Sequence, residues 1–227
     1  FLISFYERRL KRLVPALVFF ILITSLIICL FDPNPHFSLF TGIASLFGLS
    51  NIYLFKQSTD YFSLATELNV FTHTWSLGVE EQFYLIFPFI VWFSGFGSKR
   101  INGAKNLLSI VILLSITSLI SYIYFYNHNQ PLTYFLMPFR FWEMASGCIL
   151  FLMQQKRNMI FKAFEKISPL FLFILILIIL FLPISFAVLS TIAIVFLSGL
   201  LINSLNKNTS LYKIFTNKTV VYIGLIS

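Results

Sequence analysis

Seven long apolar runs, at residues 13–31, 37–55, 83–97, 106–126, 132–153, 169–183 and 185–204, alternate with short polar stretches along the chain. A helix that crosses the hydrocarbon core of a bilayer needs about 20 predominantly apolar residues. The longer runs therefore predict spanning helices, and 83–97 and 169–183 are short for the task. Lysine and arginine gather between the runs: Arg8, Arg9, Lys11 and Arg12; Lys99, Arg100 and Lys105; Lys156, Arg157, Lys162 and Lys166; Lys207, Lys213 and Lys218. Cytoplasmic loops carry the positive excess, so if every run crossed, the second and third clusters would face the wrong side. The rule is restored when residues 37–82 enter and leave on one side as a re-entrant or partly buried segment. All of the 16 basic residues except Lys56 and Arg140 then share the cytoplasmic side. Non-helical backbone at membrane depth requires protein or water around it, so this topology predicts a buried cavity. It also places Asp32, His36, Asp60, Glu67, His73, Glu80, Glu81 and His128 toward the outer face or in a cavity open to it. The expected fold is all-α, a polytopic transmembrane helix bundle forming one membrane domain over residues 1–227.

Composition narrows the class. With 58% hydrophobic, 19% aromatic and only 11% charged residues, the chain departs from soluble domains, in which about a quarter of residues are charged. The net charge of +8 would suit nucleic acid on a soluble face, but the basic residues lie in short loops between apolar runs. Topology explains them, and the expected partner is the lipid bilayer and no nucleic acid. Cys29 and Cys148 stand far apart inside apolar runs, which suggests neither a disulfide framework nor a metal site. No signal peptide is visible and the first residue is Phe1, so the chain is expected to begin mid-protein.

One stretch stands out from this background: "FTHTWSLGVEEQFYLIFPF", residues 71–89. Ser76 is placed to cap a helix whose first turns carry Glu80 and Glu81, where the positive end of the helix dipole favours carboxylates. His73 precedes that helix and would approach Glu80 if the entry turn folded back, which would orient and charge the imidazole as a base or binding group. The plainer alternative has Thr72, Thr74, Ser76 and the acids satisfying backbone groups at an interfacial helix start, with Trp75 and Tyr84 as belt aromatics. Ionisable groups within a membrane are costly and usually functional, which favours the first reading.

These residues carry a resemblance. "HTWSLGVEEQFYLIFP" is similar to the signature of the acyltransferase 3 family of integral membrane O-acyltransferases, and "FYERRLKRLVPAL" at 5–17 and "FRFWEMASGCIL" at 139–150 resemble further family segments in the same order. "VVYIGLIS" at the end is similar to the start of a late family motif. Members carry, in their first transmembrane helix, an arginine followed after ten residues by a histidine regarded as catalytic. No arginine here has a histidine at that spacing, so the resemblance implies an internal fragment truncated at both ends. It further implies transfer of an acyl group, commonly acetyl from a cytoplasmic acyl-CoA, onto a hydroxyl of a surface or exported glycan such as lipopolysaccharide O-antigen, capsule or exopolysaccharide. Acetyl-CoA would be a co-substrate, with no bound cofactor, and the setting a bacterial inner membrane.

Two other constellations join the candidate site. Arg8, Lys11 and Arg12 share one helical face, a compact candidate for donor phosphates together with Arg9, although a positive-inside anchor would look the same. Arg140 and Glu143 sit three residues apart inside an apolar run, where a lone charge at the helix centre costs about 2.5–3.5 kcal/mol. They either neutralise one another and staple helices or line the site, as the matching family segment implies. Pro138 is expected to kink that helix. The expected catalytic residues are His73, Glu80 and Glu81; the expected substrate-binding residues are Trp75, Ser76, Tyr84, Arg140 and Glu143; no metal ligands are expected. A transporter of a glycan or lipid intermediate, using the same polar groups as a path, is the alternative, although no inverted repeat of interrupted helices is evident.

Overall fold

The computed structural model describes residues 2–60, 68–97, 102–155, 167–206 and 209–226. Glu67, Lys99, Arg100, Lys156, Arg157, Lys162, Lys166 and Lys207, on which the topology reading partly rests, lie outside the described residues. The described residues are helical with no strand. Their elements are α1 (Leu2–Phe31), α2 (His36–Leu46), α3 (Ser50–Thr59), α4 (Trp75–Ser94), α5 (Gly103–Tyr126), α6 (Gln130–Phe135), α7 (Met137–Gln155), α8 (Pro169–Leu180), α9 (Ala187–Ser204), α10 (Ser210–Phe215) and α11 (Lys218–Ile226). Among the described residues, four helical stretches are long and apolar enough to cross a membrane: Ile3–Phe31, Gly103–Tyr126, Gln130–Gln155 and Ile184–Ser204. The chain is an integral, multi-pass membrane chain. It divides into two compact units, Phe1–Met144 and Ala145–Ser227. In the second, α8 and α9 form an apolar pair, and Gln154 donates to Asn203 (3.2 Å).

Two of the apolar runs are not single helices. The run 37–55 breaks at Gly48, whose positive φ of 66° is open to glycine and strained for residues with a Cβ. The break divides the run into helices of 11 and 10 residues, about 16 and 15 Å long at 1.5 Å per residue. Neither reaches across a core of about 30 Å, which is the geometry a re-entrant segment requires. The run 132–153 breaks at Leu136, whose extended ψ of 132° ends α6. Pro138 thus stands at the start of α7 and does not kink a continuous helix, since proline is tolerated in a first helical turn.

α1 and α4 run antiparallel. Tyr6 donates to the carbonyl of Leu85 (2.9 Å) near one end of the contact, and Phe20 meets Phe71 and His73 edge-on near the other. Phe71 is fully buried and packs with Ile21 and Ile28 against Gly42, where an added Cβ would lie 3.1 Å from the phenyl ring. α2 thereby docks on α1, and α3 on α4.

Candidate functional site

The α2–α3 hairpin is apolar outside and polar where it meets the start of α4. Ser45 shares a hydrogen bond with Thr74 (2.7 Å), and Ser50 donates to the Thr74 carbonyl (2.7 Å). Asn69 donates to Thr41 (2.6 Å) and Gln57 (3.1 Å) and accepts from the Phe71 amide (3.0 Å). At the tip, Asn51 and Gln82 exchange amide hydrogen bonds of 2.8 and 3.3 Å. Gln82 also donates to the Gly48 carbonyl (3.1 Å), and Asn51 to the Phe135 carbonyl (3.0 Å) at the α6–α7 break. Thr41, Ser45, Ser50, Asn51 and Thr74 are buried, and buried polar groups require such partners. This seam lies in the run read as re-entrant. Its sequence signal is the recurrence of Thr41, Ser45, Ser50 and Asn51 inside an otherwise apolar stretch.

Glu80 and Glu81 lie on the helical turn beside this tip and take different partners. Glu80 faces α1, with its carboxylate 3.7 Å from the Arg9 guanidinium. Arg9 itself lies over Tyr84, 3.3 Å from the ring centroid, where the ring's negative face favours a cation. The Arg9 Nε is buried and has no hydrogen-bond partner among the described residues. Glu81 turns to the hairpin tip and abuts Gly48. From the level of Tyr84, α4 continues ten residues to Ser94, about 15 Å. The basic cluster therefore meets α4 partway along its length and not at its end.

The cluster read as one phosphate-binding face divides. Arg9 is committed to Tyr84 and Glu80, while Arg8, Lys11 and Arg12 are exposed and Lys11 pairs with Glu7 (2.6 Å) on its own helix. His73 is exposed and its ring packs edge-on to Phe20 at 5.4 Å. The entry turn does not fold it back on Glu80, because the 3-10 turn Thr72–Thr74 runs directly into α4. Ser76 is not the cap either: it lies inside the helix and donates to the His73 carbonyl (3.2 Å), and Thr74 occupies the N-cap position.

A second cluster assembles Trp75, Tyr134, Arg140 and Glu143. The Arg140 guanidinium lies 4.7 Å from the Trp75 ring and 5.1 Å from that of Tyr134, whose centroids are 4.5 Å apart. Arg140 binds Glu143 at 3.2 Å. The sequence does not single out Tyr134, since nothing there shows that the α6–α7 break turns it toward Trp75. Between α4, α5 and the start of α7 runs a groove of about 340 Å³ lined by residues such as Ile86, Ile90, Leu114, Met137 and Phe141. Three hydroxyl-bearing residues, Thr117, Ser118 and Ser121, line it; Thr117 donates to the Leu113 carbonyl and Ser118 to the Pro138 carbonyl (2.6 Å).

A family model described as an acyltransferase domain matches residues 1–227. The O-acetyltransferase OatA of Staphylococcus aureus (strain NCTC 8325) is 35% identical over 150 residues, 66% of this chain and 24% of that protein. The peptidoglycan O-acetyltransferase OatA of Listeria monocytogenes is 32% identical over 151 residues, 65% of this chain and 24% of that protein. An uncharacterized protein of Haemophilus influenzae is 34% identical over 151 residues, 65% of this chain and 61% of its own length. The chain thus spans about a quarter of each O-acetyltransferase. No solved structure matches it significantly.

Proposed function

The chain belongs to the acyltransferase 3 family, and from that premise we propose that it forms part of a membrane O-acetyltransferase that transfers acetyl from acetyl-CoA to a hydroxyl of a cell-envelope glycan in a bacterial inner membrane. The observation that carries this reading is the cluster on the middle of α4, where Arg9, Glu80, Glu81 and Tyr84 bring charge into an apolar helix bundle beside a buried polar seam. Intramembrane ionisable groups of this kind are costly to keep and tend to mark function.

In the proposed reaction the acceptor hydroxyl attacks the thioester carbonyl. A carbon–oxygen bond forms, the carbon–sulfur bond breaks, and the hydroxyl proton passes through a general base to the departing thiolate. Within this chain Glu81 is the base of choice, because Glu80 is engaged with Arg9 and His73 packs against Phe20. The exposed Arg8, Lys11 and Arg12 supply charge for the donor phosphates. The cluster of Trp75, Tyr134, Arg140 and Glu143 braces the helices beside this site.

A transporter built on the same residues remains the alternative from another class, and the groove beside α4 and α5 suits hydrocarbon better than sugar. The test uses the full-length protein in membrane vesicles with isotope-labelled acetyl-CoA, scoring alkali-labile label in the glycan fraction. Labelled glycan that drops at least about tenfold in Glu81→Gln, with His73→Ala retaining transfer, supports the reading. Glycan that crosses the membrane without gaining acetyl refutes it.

A further inference from the structure

We propose that the tip of the α2–α3 hairpin is the positioning element for Glu81, with Gly48 fixing where the carboxylate lies. This rests on the reading of Glu81 as the group that handles the hydroxyl proton. Gly48 has φ +66°, and an added Cβ would overlap Oε2 of Glu81 and lie 3.2 Å from its Cβ and 3.4 Å from its Cδ. The Glu81 side chain therefore lies along the bare backbone of Gly48, a course that a methyl group would close. The adjacent Gln82 holds the same turn through the Gly48 carbonyl (3.1 Å) and through Asn51 (2.8 Å).

The junction is closed from the other side as well. At Gly78 of α4, one turn before Gln82, an added Cβ would meet Asn51 Oδ1 at 2.8 Å and Ser50 Oγ at 3.0 Å. A glycine on each partner thus lets the tip and α4 approach until side chain meets backbone in both directions. The amide pair blocks sliding along the helix axis. A carboxylate confined in this way loses rotamer freedom before substrate arrives and not during the reaction, and geometry held in advance is what a proton-transfer step rewards.

The test is a double-mutant cycle in the full-length protein in lipid nanodiscs: Gly48→Ala, Glu81→Asp and the two combined, read by acetyl transfer to a glycan acceptor and by thermal unfolding. Gly48→Ala is expected to lower kcat at least about tenfold with KM within about twofold. In the Glu81→Asp background, whose carboxylate is one methylene shorter, the same substitution is expected to cost less than about threefold and to lower the unfolding midpoint less. An equal loss in both backgrounds would overturn the proposal, since it assigns the whole effect to backbone strain at Gly48, and so would an unchanged kcat in Gly48→Ala. Glu81→Gln, assayed alongside, separates the two readings. Intact transfer there removes the proton-handling role, whereas absence of coupling in the unfolding midpoint removes the Gly48 contact.

Discussion

Arg9 and Arg140 each bring a guanidinium into an apolar helix bundle and each lies over an aromatic ring, but their carboxylate partners are placed differently. Arg140 takes Glu143 from its own helix at 3.2 Å, and both side chains keep only 21% of their surface exposed. Arg9 takes Glu80 from another helix at 3.7 Å, with 29% and 49% exposed. The Arg140 pair lies within one helix, and its aromatic neighbours come from α4 and α6. The Arg9 pair exists only once α1 and α4 have met, and half of the Glu80 side chain stays within reach of water. The first arrangement braces the fold; the second leaves charge available at little cost to stability. Geometry that is tight and locally paired suits structure, and geometry that is looser and shared between helices suits chemistry.

Substitutions rank the two regions. Arg140→Leu should cost about 2–3 kcal/mol, because it strips the cation from a carboxylate that is four-fifths buried, and Arg140→Leu with Glu143→Leu should recover most of it; thermal unfolding of the full-length protein in detergent reads both. Next comes Gly78→Ala, which sits on α4 between Trp75 and Glu80. Its methyl would collide with Asn51 and Ser50 and should lower stability by about 1–3 kcal/mol. Arg9→Lys keeps the charge beside Glu80 but loses the guanidinium over Tyr84, a change of about 1 kcal/mol that should reduce transfer more than its effect on unfolding would suggest. Lys11→Ala removes a pair that is 75% and 56% exposed and should move stability by no more than about 0.5 kcal/mol. If Arg9→Lys instead outweighed Arg140→Leu in the unfolding midpoint, the assignment of bracing and chemistry would be reversed.

The apolar runs make most of the helices legible, because membrane-crossing length is written directly in uninterrupted hydrophobicity. Residues 106–126 and 185–204 emerge as α5 and α9 within a few positions. Breaks within runs are less legible. At Gly48 the cause is visible as a residue type, but glycine is common in membrane helices and only tertiary contact fixes its positive φ. At Leu136 the proline two residues on suggests a kink, whereas the Asn51 amide takes the carbonyl of Phe135 just before the break. Of the candidate site, the paired acids and the arginine clusters are legible because charge in apolar sequence is conspicuous. Which acid meets which arginine is not, since His73 and Glu80 are close in sequence while Arg9 and Glu80 are 71 positions apart. The phosphate face misleads for a related reason: helical spacing groups Arg8, Lys11 and Arg12, but α4 recruits the residue that spacing leaves out.

Asn51 illustrates how such a seam must be built during synthesis. Its partner Gln82 lies 31 residues later and its partner Phe135 84 residues later. At about 5–20 residues per second, the ribosome needs about 4–17 s to deliver the last of them. Throughout that interval the amide of Asn51, which ends fully buried, has to find water, lipid headgroups or an insertion factor. The burial of the tip is therefore complete only once α6 has emerged, and a truncation before residue 135 would leave the Asn51 amide without the Phe135 carbonyl.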